Sequence, residues 1–263
     1  MHDRMAIELA VEPPVRGLLK SDIRDGERIL RWFEPAEPLV PFVQRIWSAE
    51  WKIPPGESRT QPILPYPSAN IVIAGGQAVV IGVVTRAAVQ RLEGTGHAFG
   101  AKLQPGALRA FGVERPSAIR DLSVSAEKVL RGDYREGDSG DPETWARSIE
   151  AYLMAQNPRH DITSCRAGEI TRAVEGDRDI VFVSQLADKF RLSIRSIQDV
   201  CSRALGVSPK WLIRCFRLQD ALERLHTGVD VNLSMLAQDL GYFDQAHFTR
   251  DFKHITGISP GRY

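Results

Sequence analysis

Residues 183–209 recur, with one slip, as residues 233–260, and no other feature of the chain limits its fold so much. Moved back by 51 positions, Asp244, Phe248, Phe252, Gly257, Ser259 and Pro260 fall on Ser193, Ile197, Cys201, Gly206, Ser208 and Pro209. Further upstream the offset is 50, and Leu233, Leu236, Ala237 and Leu240 fall on Val183, Leu186, Ala187 and Phe190. Apolar residues at i, i+3, i+4 and i+7 predict a helix with one buried face. Each copy therefore reads as helix, short turn, second helix and a glycine stop followed by Ser-Pro. Ser193 and Asp244 suit the N-caps of the second helices. Gly206 and Gly257 suit the left-handed position that ends them. The slip falls in the turn, where a change of length is easiest to absorb. A single helical pair with a polar outer face is usually a solvated bundle, but a generic bundle has no reason to duplicate its stop signal. The pattern is a helix-turn-helix made twice.

The second helix of the last copy has Phe248, Phe252 and Ile255 inside and Gln245, Ala246, Thr249, Arg250 and Lys253 outside. Gln and Arg can bond bidentately to adenine and guanine edges in a major groove, and Thr and Lys suit phosphates. Between the copies, Pro209 to Leu225 reads as one helix about 25 Å long, with Trp211, Cys215, Leu218, Leu222 and Leu225 as its apolar stripe. Such a rod can hold two reading helices about one DNA turn apart, roughly 34 Å.

The rest of the chain differs in character. Residues 1–30 read as an N-terminal arm. Residues 31–135 read as β-rich, broken by frequent prolines that suit short strands and turns. Gly75-Gly76 between two β-branched runs predicts a tight hairpin, and residues 97–106 hold a second strand candidate. The polar stretch 131–143 reads as a loop, and 136–176 as a helical linker. In it Asp141 caps a helix opened by Pro142, and another helix spans 162–175. The net charge is +1, and 178–263 alone carries 12 Lys and Arg against 9 Asp and Glu, an excess too small to decide anything. Three cysteines, Cys165, Cys201 and Cys215, share no CxxC spacing, which argues against a disulfide framework and a four-cysteine zinc site. The chain has no run of about 18 apolar residues and no signal-peptide core at its N-terminus, so a cytoplasmic protein without membrane contact is expected.

The C-terminal stretches LADKFRLSIRSIQD, GVSP, FRLQDA, LAQDLGYFDQAHFTRDFK and GISP resemble the AraC/XylS family of transcription regulators. The match covers about 80 residues, most specifically in GYFDQAHFTRDFKHITGISP. The stretches PLVPFVQRIW, PILPYPSANIVI and GHAFGAKLQPGALRAF resemble the cupin-like domain that precedes this module in some members. The resemblance implies an α+β chain: a β-rich, cupin-like sensory or dimerisation domain over 31–135, then an all-α domain over 177–263 of two helix-turn-helix units joined by a connecting helix. It implies double-stranded DNA as partner, with RNA polymerase and a second copy of the chain as further candidates, and a small-molecule effector of unknown identity. The paired histidines and glutamate of metal-binding cupins are absent and His97 stands alone, so no metal or other cofactor is expected.

The candidate DNA-binding residues are Ser193, Arg195, Ser196, Gln198 and Asp199 in the first unit and Gln245, Ala246, His247, Thr249, Arg250 and Lys253 in the second. Lys210 and Arg214 on the connecting helix are candidate phosphate contacts, with a solvated surface role as the alternative. Two positions depart from the family pattern. Asp199 stands where the family often has Arg; it can repel phosphate, accept from cytosine N4, or pair with Arg195 or Arg203. Cys201 replaces the usual Phe and thins that unit's core. Trp47, Trp51, Tyr66 and Phe99 are candidates for an effector site, with a purely structural role as the alternative. A regulator that senses oxidants or alkylating agents through Cys165, beside Arg166, is a second reading. An enzyme is a third, and no G-x-S-x-G, H-E-x-x-H or P-loop supports it.

Overall fold

The computed structural model describes residues 7–8, 21–132, 134, 140–226 and 231–263. Its first half is antiparallel: β1 (Ile7–Glu8), β2 (Arg28–Phe33), β3 (Val43–Lys52), β4 (Ser58–Ile63), β5 (Asn70–Ala74), β6 (Gln77–Ile81), β7 (Ala88–Glu93), β8 (Thr95–Leu103) and β9 (Ser123–Ser125). Seven strands form one sheet in the order β1-β2-β3-β8-β5-β6-β9, and β4 pairs with β7 separately. Gly75 and Gly76, with φ of 57° and 74°, turn the β5–β6 hairpin at the expected place. Pro62 sits in β4 of the two-stranded sheet, where a missing N–H interrupts no central ladder. The reading of a β-rich, cupin-like domain before an all-α domain holds. The arm assigned to 1–30 falls mostly outside the described residues, but Ile7 and Glu8 pair with Trp32 and Arg31 as an edge strand.

Strand alternation gives the large sheet two unlike faces. Phe33, Ile46, Ala101, Ile71 and Val80 are cross-strand partners in one row, all buried. Helix α1 (Pro142–Ala155) covers that face with Trp145, Ile149 and Leu153. Asp141 caps it as expected, accepting from Thr144 N (3.0 Å). Trp145 stacks on Phe99 (5.4 Å, 3°) and on His97 (4.5 Å, 9°), so the lone histidine is a stacking residue of this core.

The helical half holds α2 (Ile162–Gly176), α3 (Val183–Phe190), α4 (Ile194–Val200), α5 (Pro209–His226), α6 (Leu233–Asp239) and α7 (Gln245–Thr256). The stretch 136–176, read as a helical linker holding two helices, has both of them, packed into different cores. Its first helix belongs to the β-domain core. Its second, α2, buries Ala167, Ile170 and Val174 among residues of α3, α4 and α5. A linker helix would expose its apolar stripe; these stripes face opposite cores.

Both copies of the repeat fold as helix-turn-helix. Ser196 N donates to Ser193 Oγ (3.0 Å) and His247 N to the Asp244 carboxylate (2.6 Å), so both predicted caps form. Gly206 and Gly257 end the second helices at φ of 75° and 83°. The copies differ inside. At Cys201 the first reading helix leaves α geometry and widens into a π turn, Cys201–Leu205. Cys201 lies in one buried cluster with Ala167, Ile170 and Val174 of α2 and with Tyr66 and Val83 of the β-domain. Cys201 is fully buried, and burial pushes its thiol up to about 12. An unfolded thiol ionises near 9, so the folded state loses stability as pH rises above that value. Relative to Cys201→Ala, the wild-type unfolding free energy should fall by about 1.4 kcal/mol per pH unit above pH 9. Urea titrations of the two proteins at pH 8 to 10.5 check this; parallel curves would refute it.

Candidate nucleic-acid interface

The second unit presents the more complete reading surface. On α7, Phe248 and Phe252 are fully buried, whereas Gln245, Ala246, Arg250 and Lys253 are exposed and Thr249 is half-buried. No ion pair engages Arg250 or Lys253 among the described residues. Gln245 Oε1 accepts from Ser234 Oγ (2.7 Å), which orients its amide at the mouth of the helix. His247 turns partly inward, edge-on to Tyr242 (5.2 Å) and 3.9 Å from Asp251.

In the first unit Arg195, Gln198 and Asp199 are exposed on α4. Neither Arg195 nor Arg203 pairs with Asp199 among the described residues, so its carboxylate stands on the reading face itself. Ser193 and Ser196 are occupied by the cap, their hydroxyls 2.9 Å apart. The two faces are thus unequal, one cationic and one of mixed sign.

Helix α5 joins the units. Lys210, at its start, is exposed. Arg214, the other candidate phosphate contact, points elsewhere: its Nη2 donates to Asp251 of α7 (2.7 Å), both groups mostly buried. A charge-assisted bond of that length is among the stronger polar contacts, so Arg214 locks the second reading helix to the rod. Arg217, not singled out from the sequence, lies over the Tyr242 ring at 3.9 Å, and burial holds its pKa below the usual guanidinium value. A Cβ on Gly241 would stand 2.9 Å from Val181 Cγ1, so the turn of the second unit touches the segment entering the first.

The β-domain bears on both units. Ala87 N donates to Ile255 O (2.6 Å) near the end of α7. Arg120 donates to Gly206 O (2.9 Å) at the end of the first reading helix, and Trp211 Nε1 to Thr85 O (3.3 Å). Gln219 and Cys215 donate to Pro65 O (3.0 and 3.3 Å). None of these contacts covers the N-terminal half of either reading helix.

The four effector candidates divide between the two faces of the large sheet. Trp32, Trp47, Gly100, Val72 and Val79 form a cross-strand row on the face opposite α1, all half-buried except the small Gly100. Trp47 lies over Gly100, and Trp51 over Gly96 on the same face; a Cβ at either glycine would meet the indole within 3.0 Å. Lys102, two residues beyond Gly100, shares that face and sits 3.5 Å above the Tyr66 ring. Burial and the nearby Arg45 charge push its ammonium down to about 8. Phe99 points the other way, into the core under Trp145. Trp47, Trp51 and Tyr66 therefore adjoin one surface and Phe99 does not. Lys102 escaped sequence reasoning, although the one lysine of β8 was a visible signal.

Among the described residues, no group of three or more His, Cys, Asp or Glu could hold a metal ion, and no helix is long and apolar enough to cross a membrane. Cys165 is exposed, but its neighbour Arg166 pairs with Glu169 (3.4 Å).

A helix-turn-helix domain family matches residues 186–263, and a domain of unknown function, DUF6597, matches residues 31–125. The invasion protein InvF of Salmonella typhi is 32% identical over 75 residues, 28% of this chain and 34% of the relative; its Salmonella typhimurium counterpart matches equally. The C-terminal module, residues 186–263, is an AraC-type helix-turn-helix domain. The chain matches about a third of the length of these curated relatives. Among solved structures, the C-terminal domain of AraT, a response regulator from Geobacillus stearothermophilus, has a TM-score of 0.34 at 22% identity, covering 40% of this chain and 85% of that one. ToxT from Vibrio cholerae has a TM-score of 0.40 at 13% identity, covering 78% of this chain and 87% of its own.

Proposed function

We propose that the chain is a sequence-specific DNA-binding transcription regulator whose β-domain responds to a small effector. The observation that carries the reading is the duplicated helix-turn-helix with two exposed reading faces, each capped at its base-facing end and buried on its other side. In the second unit Gln245, Ala246 and Arg250 are the base readers and Lys253 a phosphate contact. In the first, Arg195 and Gln198 read, and Asp199 accepts from a cytosine N4 amine, since it has no arginine partner of its own. Lys210 touches phosphate, while Arg214 acts through Asp251 as a positioning residue. The effector, apolar or aromatic, lies on the Trp47–Trp51 face, whose Lys102–Tyr66 end adjoins α5 through Pro65. A change there has a short path to both reading helices.

Selection of bound fragments from random duplex DNA by the full-length protein, across a salt series, tests this. A site of two elements about one turn apart is expected. Arg250→Ala should relax selectivity at one position and weaken binding by about tenfold or more. Lys253→Ala should weaken all sequences alike and lower the salt slope by about one charge. Failure to enrich any sequence, with or without candidate effectors, would refute the reading.

A further inference from the structure

The slip in the repeat falls at a definite residue. In the first turn Arg191 takes the left-handed conformation (φ 51°), Leu192 N donates to Ala187 O (2.9 Å), and Ser193 caps α4. In the second, Gly241 takes that conformation (φ 70°) and Tyr242 N repeats the bond to Ala237 O (2.9 Å). The cap is Asp244. Leu192 and Tyr242 are equivalent, and Phe243 is the extra residue, placed between Tyr242 and the cap.

The residue before an N-cap commonly folds back onto the fourth residue of the helix as a hydrophobic staple. Here that fourth residue is Phe248, and Tyr242 already holds the place, its ring 5.4 Å from Phe248 and itself buried. Phe243 has nowhere to go. It is 92% exposed, more than any other large hydrophobic side chain among the described residues. It stands at the mouth of α7, beside Gln245 and Ala246, and the hydrogen bond from the β-domain to α7 lies near the far end of the helix, at Ile255.

We propose that Phe243 is a specificity-determining residue: its ring contacts the C5-methyl group of a thymine next to the bases read by Gln245 and Arg250. This rests on the DNA-binding reading above. The first residues of a recognition helix face the base edges. The thymine methyl is the apolar feature of the major groove, and phenylalanine is among the side chains that contact it. A ring excluded from its own core and held at that edge gains a partner only when the helix is seated. The first unit, one residue shorter, has no counterpart, so the contact is confined to one half of the site.

In the duplex selected by the full-length protein, each thymine is replaced in turn by deoxyuridine, which removes only the methyl group. One position should bind wild-type protein about fourfold more weakly after the change, the worth of one buried methyl. At that position Phe243→Ser should bind thymine and uracil alike, with its circular dichroism and unfolding midpoint unchanged. Equal binding of both bases at every position, or a selected site without thymine beside the second element, overturns the inference while Arg250→Ala still reports on the DNA-binding reading. Self-association lost in Phe243→Ser, with base selectivity intact, also overturns it and makes Phe243 a contact between copies. If wild-type protein selects no site, both readings fall together.

Discussion

Phe252→Ala should cost the second helix-turn-helix unit about 3–5 kcal/mol, the usual range for emptying a buried aromatic site. Phe252 is fully buried, edge-on to Phe248 (5.6 Å) and Tyr263 (6.4 Å). Its cluster is small and is built from α5, α6 and α7 with Leu64 of the β-domain. Few neighbours can collapse into the cavity, because Tyr242 and Phe248 are fixed by the turn and Arg214–Asp251 holds α7 to the rod. The loss should therefore be local. Native-state hydrogen exchange should show protection falling across α6 and α7 while β8 and α1 keep theirs, and site-specific DNA binding should vanish. Phe252→Leu, which refills most of the volume, should recover the greater part of both. Uniform loss of protection through the β-domain would show that the two cores unfold as one.

Gly206→Ala should destabilise the protein by about 2–4 kcal/mol, combining left-handed backbone strain of about 1 kcal/mol with overpacking of about 1–3 kcal/mol. Gly206 has a φ of 75°, and an added Cβ would stand 2.9 Å from Ser117 N and Cα. Backbone cannot yield as a flexible side chain would. Gly257→Ala supplies the comparison: it ends the other reading helix at a φ of 83° with nothing within 4 Å of its new Cβ. It should lose only the strain, about 1 kcal/mol. The difference between the two urea midpoints measures the contact between the first unit and the β-domain. Equal losses would mean that the seam relaxes freely.

The repeat was the most legible part of the chain, because caps, stops and periodic apolar residues are local signals. Ser193, Asp244, Gly206 and Gly257 could each be assigned from a few neighbours, and so could the Gly75-Gly76 hairpin. Long-range pairing was not legible in that way. Nothing near Arg214 announces Asp251, 37 positions on, so that bond was not among the roles weighed for it. Strand alternation could have separated Phe99 from Trp47, but only once the register of β3 against β8 was known. Which core each helix of 136–176 would join was not a local signal; α1 is placed by contacts more than a hundred residues away, as with Glu150 accepting from Ala36 N (2.7 Å). The surroundings of Cys201 were half visible: a smaller core residue could be read, the packing of α2 and of Tyr66 and Val83 into the same cluster could not.

That shared cluster bears on where the chain can be cut. Judged by its repeat, the C-terminal module would start near residue 177, yet α2 supplies Ala167, Ile170 and Val174 to the first unit and Asp161 caps α2. Arg159 N donates to Ala110 O (3.1 Å) and Arg109 pairs with Asp161 (3.1 Å), so the strip before α2 is stitched to the β-domain rather than slack. Anyone grafting this reading head onto another sensor would do better to carry it from just before Asp161, since a splice made at the edge of the repeat leaves one of its two heads without a wall.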